Sequence, residues 1–161
     1  MMKNEPFYTE GLYFSCTRCS DCCRHESGFV FVSETDVTLL AKEFKMNISE
    51  FVNVYCRWIP SDKVFAAEDS TERLSLKEKS NYDCIFWDMG CKVYKSRPLQ
   101  CRAFPFWPGN LNSRKTWERI QADCPGMGKG AFYSREAIEN ILKSQSSEPI
   151  LTRKAQSSGR S

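Results

Sequence analysis

A chain of 161 residues that is 41% hydrophobic, 13% aromatic and 27% charged has the composition of one ordinary globular domain, with little room for a second. Its net charge of +3 is small and its basic residues are scattered, the densest group being Arg153 and Lys154, so no nucleic-acid-binding surface is expected. Met1 to Glu10 lacks the apolar run of a signal peptide. The longest apolar run, Phe29-Val30-Phe31-Val32, is far below the about 20 residues of a membrane span, so the chain reads as cytoplasmic with no membrane partner.

Leu12-Tyr13-Phe14 predicts a short strand leading into Cys16-Thr17-Arg18-Cys19-Ser20-Asp21-Cys22-Cys23, a loop because these residues suit neither helix nor strand. Gly28 to Val32 predicts a buried strand. Ser33, with Asp36 three places on, has the form of a capping box, and Val37, Leu40, Ala41 and Phe44 follow at helical spacing, so a helix should run to near Asn47. Ser49 starts a second, shorter helix through Phe51, Val52 and Tyr55, which stops by Pro60. Between Lys63 and Lys79, Val64, Phe65, Leu74 and Leu76 alternate with charges as in a solvent-facing hairpin or paired strands.

Cys84-Ile85-Phe86-Trp87, the turn Asp88-Met89-Gly90 and the return Cys91-Lys92-Val93-Tyr94 predict a second hairpin that brings Cys84 and Cys91 together. Ser96-Arg97-Pro98 opens a short helix carrying Cys101 and Arg102, which ends before Phe104-Pro105. Trp117 to Gln121 is expected as a strand, with Cys124-Pro125-Gly126 a turn after it. Ser134 caps a last helix with Ala137, Ile138, Ile141 and Leu142 on its apolar face. Beyond Lys143 the chain is polar and serine-rich, and residues 144–161 are expected to be a disordered tail after a cysteine-cluster domain at 1–143. The fold class is α+β: a small domain of short strands and a few helices organised around metal.

Nine cysteines in a chain read as cytoplasmic point to metal ligation before disulfides. Thiolate is a soft ligand suited to zinc and iron, and a two-residue gap lets two sulfurs of one turn converge on an ion, as with Cys16 and Cys19 or Cys19 and Cys22. Spacing alone does not choose between a zinc or iron ion and an iron–sulfur cluster. Adjacent Cys22 and Cys23 are expected to face different ways, one joining Cys16 and Cys19 and the other serving a second site. Cys84, Cys91, Cys101 and Cys124 are further ligand candidates. Cys56, at the end of an amphipathic helix, reads as a buried thiol outside the site. His25, the only histidine, is as well explained by a solvated loop as by ligation. Arg97 and Arg102 flank Cys101 and can offset thiolate charge, while Trp87, Phe104, Phe106 and Trp107 are expected to wall the site. With one histidine and no Gly-rich phosphate loop, no Ser/His/Asp centre can be assembled, and catalytic residues are not identified.

Phe14 to Arg24, with Cys84, Cys91, the run Tyr94-Lys95-Ser96-Arg97-Pro98-Leu99-Gln100-Cys101-Arg102-Ala103-Phe104-Pro105 and Cys124, resembles the CxxCxxCC, or YkgJ-like, cysteine-cluster family of zinc- or iron-chelating proteins. The resemblance implies eight family cysteines, Cys16, Cys19, Cys22, Cys23, Cys84, Cys91, Cys101 and Cys124, and leaves Cys56 out. It implies a metal-binding protein with a metal ion as partner and names no substrate. The cluster is also similar to that of flagellin lysine methylases, which are longer chains. The alternative reading is therefore an iron–sulfur-dependent redox or protein-modifying enzyme with an unknown protein partner or substrate.

Overall fold

Ser33 begins the first helix by the expected reciprocal cap. Its hydroxyl accepts the Asp36 N–H at 3.1 Å and the Asp36 carboxylate accepts the Ser33 N–H at 3.0 Å, and α1 runs over Glu34–Glu43. The structure, a computed structural model, describes residues 5–65 and 70–156. α2, Ile48–Tyr55, is capped by Asn47 and not by Ser49. Asn47 has a glutamate three places on that returns the bond, with Glu50 accepting from Asn47 N at 3.0 Å, and Ser49 has no such partner.

The chain leaves α2 straight into a strand. β1 is Leu12–Phe14, β2 is Cys56–Pro60, β3 is Thr71–Leu76, β4 is Ala131–Tyr133 and β5 is Thr152–Lys154. Of the segment 63–79, expected to pair with itself, β3 pairs instead with β2, which precedes that segment, antiparallel from Cys56↔Leu76 to Pro60↔Glu72. Val64 lies instead in a helical turn, α3, Asp62–Phe65. Cys56 and Ile59 are the buried residues of β2, and Pro60, which lacks a ladder donor, closes it. Gly28–Val32 is extended but not a regular strand. It bonds irregularly along β3, Val32 N to Leu74 O at 3.1 Å and Leu76 N to Val30 O at 2.9 Å.

The segment 84–94 also departs from its predicted hairpin: single bridges join Glu78 to Cys84 and Trp87 to Cys91 without forming strands. Met89 (φ 52°) and Gly90 (φ 144°) turn the chain, with Asp88 N donating to Gly90 O at 2.9 Å. The helix carrying Cys101 is α4, Leu99–Ala103, which starts after Pro98 and not at Ser96, because Ser96 ends a 3-10 turn over Tyr94–Ser96. Residues 114–123 form a helix, α5, Arg114–Asp123, where a strand was expected over 117–121. Ser113 accepts the Thr116 N–H at 3.1 Å, and Trp117 with Ile120 recurs at helical spacing towards the core.

α6 spans Arg135–Ser147 from the expected Ser134 cap and thereby takes in the first residues of the predicted disordered tail. The tail is ordered further on. β5 pairs antiparallel with β3, Thr71↔Lys154 to Arg73↔Thr152, and Leu151 exchanges backbone bonds with both Val32 and Leu74 at 2.9 Å. Composition undercounted what this segment buries, because its hydrogen bonds complete a sheet edge. Residues 157–161 of that tail lie outside the described residues.

The architecture is α+β: among the described residues, six α-helices with two small antiparallel sheets, β1-β4 and β2-β3-β5. One core gathers Val32, Val37, Leu40, Phe51, Leu74, Leu76, Phe86 and Val93 under the larger sheet and α1–α2. The other gathers Phe14, Phe106, Trp117, Met127 and Ile138 beside β1. Cys84 and Cys91 pack against the first core and Cys124 against the second. Among the described residues no helix is long and apolar enough to cross a membrane.

Candidate metal centre

Four segments converge between the two cores, the 16–23 loop, the 84–91 turn, α4 and the Cys124 turn, and each is fixed by identifiable bonds. The 16–23 loop is anchored at its start, where Ser15 N donates to Gly126 O at 3.1 Å and Ser15 Oγ accepts from Ala131 N at 2.9 Å. At its end, Cys84 N donates to Cys23 O at 2.8 Å, and the next side chain, Arg24, pairs with buried Asp83 at 3.1 Å while lying 3.7 Å from the Trp87 ring centroid. Between these anchors Arg18 (φ 58°) and Ser20 (φ 74°) take left-handed backbone, and Cys22 and Cys23 sit on a 3-10 turn, Asp21–Cys23.

Cys101 is positioned by α4, whose N-terminus has no cap of its own because Pro98 offers no side-chain acceptor. Asp36 supplies it, accepting from Leu99 N at 2.9 Å. The neighbouring Gln100 amide accepts from Phe31 N at 2.9 Å and donates to Phe29 O at 2.8 Å, which fixes the helix against the 28–32 segment. Cys124 ends α5 and its carbonyl accepts from Met127 N at 3.1 Å.

The result is a cavity of ≈ 650 Å³ lined by Cys16, Cys19, Cys22, Cys23, Cys84, Cys91, Cys101 and Cys124. Cys56 is buried in the first core, where desolvation pushes its thiol up to about 12, and it does not line the cavity. His25 is exposed and also stands outside the lining. The Cys22 and Cys23 sulfurs lie 3.7 Å apart, so the two side chains converge where they were expected to diverge.

Three guanidiniums, Arg18, Arg24 and Arg97, line the same cavity. Arg18 and Arg97 both lie against the Tyr94 ring, at 4.0 and 3.8 Å from its centroid. Arg102 lines a smaller adjoining cavity of ≈ 260 Å³ together with Cys16, Cys22, Arg97 and Cys101. Phe104 and Trp107 wall the larger cavity as expected, whereas Trp87 is covered by Arg24 and Phe106 belongs to the second core.

The hydrogen bond with Cys23, helped by the charge of Arg97, lowers Cys22 to about 7 against the opposing effect of burial. Cys23 is raised for the complementary reason, its bond to Cys22, together with desolvation. Desolvation likewise raises Cys84, Cys91, Cys101 and Cys124. Among the described residues, no three His, Cys, Asp or Glu side chains are drawn close enough to hold a metal ion as they stand. The donor set nonetheless suits zinc or iron: soft sulfurs on one cavity, with cations at hand to balance thiolate charge.

Sequence reasoning missed Asp36 as the cap of α4, Gln100 as its tie, and Arg18 and Arg24 as bordering cations. Arg24 directly follows Cys23 and was the one legible signal, since a cation beside a thiolate run offsets its charge.

A small α+β domain with eight thiols facing one cavity is a cysteine-cluster protein. Over residues 15–125 the chain matches the CxxCxxCC family, described as "Putative zinc- or iron-chelating domain", and it belongs to that family. It is 30% identical over 113 residues to an uncharacterized protein of Methanocaldococcus jannaschii, an alignment covering 66% of this chain and 54% of the relative. The chain therefore spans about half the length of the curated relative it matches. No solved structure matches it.

Proposed function

We propose that the protein is a metal-binding protein that holds zinc or iron through Cys16, Cys19, Cys22, Cys23, Cys84, Cys91, Cys101 and Cys124, in the cytoplasm and without a nucleic-acid or membrane partner. The observation that carries the reading is the shared cavity: eight of the nine thiols, far apart in sequence, line it, and the ninth, Cys56, is packed in a core. Metal binding then contributes to folding, since it ties together the four segments that carry the thiols, 16–23, 84–91, α4 and the Cys124 turn.

A second reading, an iron–sulfur-dependent redox or protein-modifying enzyme, is favoured by one feature. The cavity of ≈ 650 Å³ is far larger than one ion and is walled in part by Phe29, Phe86, Phe104 and Trp107, which leaves space for a cluster and for a side chain of a protein substrate.

The test is metal and acid-labile sulfide content with a visible spectrum, on protein purified without oxygen. Zinc or iron without sulfide is expected. Iron with sulfide would move the protein to the second reading, and absence of any metal after incubation with zinc and ferrous iron would overturn both.

A further inference from the structure

We infer that the eight thiols form two separate four-thiolate sites that abut at the Cys22–Cys23 peptide: an inner site of Cys23, Cys84, Cys91 and Cys101, and an outer site of Cys16, Cys19, Cys22 and Cys124. The inference rests on these cysteines being the metal ligands and adds how they are divided.

Burial divides them first. Cys23, Cys84, Cys91 and Cys101 are all half-buried, whereas Cys16, Cys19 and Cys22 are exposed and only Cys124 of the outer set is half-buried. Backbone bonds divide them in the same way. Cys23 is tied to Cys84 by the 2.8 Å bond from Cys84 N to Cys23 O, and Cys91 closes the same turn through its bridge with Trp87. The start of the loop is tied instead to the Cys124 turn, by Ser15 N to Gly126 O at 3.1 Å and by the Phe14↔Met127 bridge. Among the thiols, Cys23 is near the charge of Cys101 and Cys84, and Cys124 near that of Cys19 and Cys22, while Cys22 is also felt by Cys84, Cys91 and Cys101, which places it at the junction of the two sets.

The junction decides the assignment of the adjacent pair. The Cys22 and Cys23 sulfurs lie 3.7 Å apart, in direct contact, so the two sites meet at this pair. The backbone on either side nevertheless runs to different partners, Cys23 to Cys84 and Ser15 to Gly126. The two sites are therefore neighbours in contact. Both sets have to draw together on binding, since among the described residues no three donors are yet at ligand distance. The left-handed residues Arg18 and Ser20 give the Cys16–Cys22 run its turns. Two four-thiolate sites around divalent ions carry two negative charges each, and Arg18, Arg24, Arg97 and Arg102 border them.

The experiment counts metal ions per chain by native mass spectrometry of the full chain reconstituted with cadmium, and reads the sites by cadmium-113 NMR. Two ions and two resonances in the four-thiolate region are expected. Cys91→Ser and Cys23→Ser should each lose one ion and the same resonance, and Cys19→Ser and Cys22→Ser should each lose the other. One ion per chain, a single resonance, loss of both ions in any single variant, or a swap of Cys22→Ser with Cys23→Ser would overturn the division. A variant that fails to fold leaves the ion and resonance counts of the unaltered chain to decide. A chain that binds no cadmium, zinc or iron at all would instead overturn the metal-binding reading itself.

Discussion

The Asp36 carboxylate on α1 accepts the backbone N–H of Leu99 at 2.9 Å, reaching across 63 residues to cap the helix that carries Cys101. Its other oxygen closes the capping box of α1 at 3.0 Å from Ser33 N, and the residue is 2% exposed. One carboxylate thus starts two helices, one in the first core and one at the cavity.

Asp36→Ala should therefore cost more than an ordinary cap. Two N–H groups lose a charged acceptor away from water, and the loss is expected to be about 2–4 kcal/mol. Urea unfolding measures it. The same variant should retain less metal, because α4 is then free to shift Cys101. Wild-type stability with unchanged metal content would show that the carboxylate has no capping role.

Cys56 and Cys101 should respond in opposite ways to the same change. Cys56→Ala removes a sulfur from the first core and is expected to cost on the order of 1 kcal/mol with full metal content. Cys101→Ala should lose bound metal. Metal analysis beside a thermal melt separates the two, and metal loss in Cys56→Ala would contradict its place outside the centre.

Elements that depend on local chemistry were legible. The α1 capping box, the Ser134 start of α6 and strand β1 follow from side chains a few residues apart. That the cysteines of the 16–23 loop share one cavity was legible too, because thiols at two-residue spacing have few other uses in one short loop, whereas Cys84, Cys91, Cys101 and Cys124 carry no such spacing and were marked chiefly by the family resemblance. Elements that depend on distant partners were not. β2 looked like the tail of a helix because its reason for being a strand is β3, and Trp117 to Gln121 looked like a strand because a short apolar–polar run fits both periods. The order of residues 148–156 depends on an open edge of β3, which nothing in their own composition reveals.

Removing residues 148–161 tests that edge. The deletion takes β5, the two bonds of Leu151 to Val32 and Leu74, the ion pair of Arg153 with Glu72 at 2.5 Å and the stacking of Arg153 on Trp58. Each backbone bond is worth about 1 kcal/mol net, so a loss on the order of 3 kcal/mol is expected. An unchanged melting temperature would restore the view of this segment as a dispensable tail.

Gly126→Ala should damage the join between the loop and the Cys124 turn. A β-carbon at residue 126 would stand 2.2 Å from the Ser15 carbonyl oxygen, and that contact can be relieved only by parting the two backbones. Overpacking of this kind costs about 1–3 kcal/mol. Cys16 would move away from Cys124, so metal content should fall as well. Gly109→Ala is the matched control, since nothing lies within 4 Å of its added carbon, and it should be neutral in both measurements.

Metal affinity should fall steeply with acid. Desolvation raises Cys84, Cys91, Cys101 and Cys124, and the bond to Cys22 raises Cys23, so near neutral pH these groups hold their protons in the metal-free chain. Cys22, lowered to about 7, is substantially ionised there. A raised thiol binds metal only by giving up its proton, so lower pH favours the metal-free form. Each proton displaced weakens apparent affinity about tenfold per pH unit. Zinc titration of the apo chain in dilute buffer at pH 7 should therefore release several protons per ion, and the apparent Kd should rise by more than about tenfold between pH 8 and pH 7. Release of fewer than one proton per ion would mean that the cavity thiols are not the ligands.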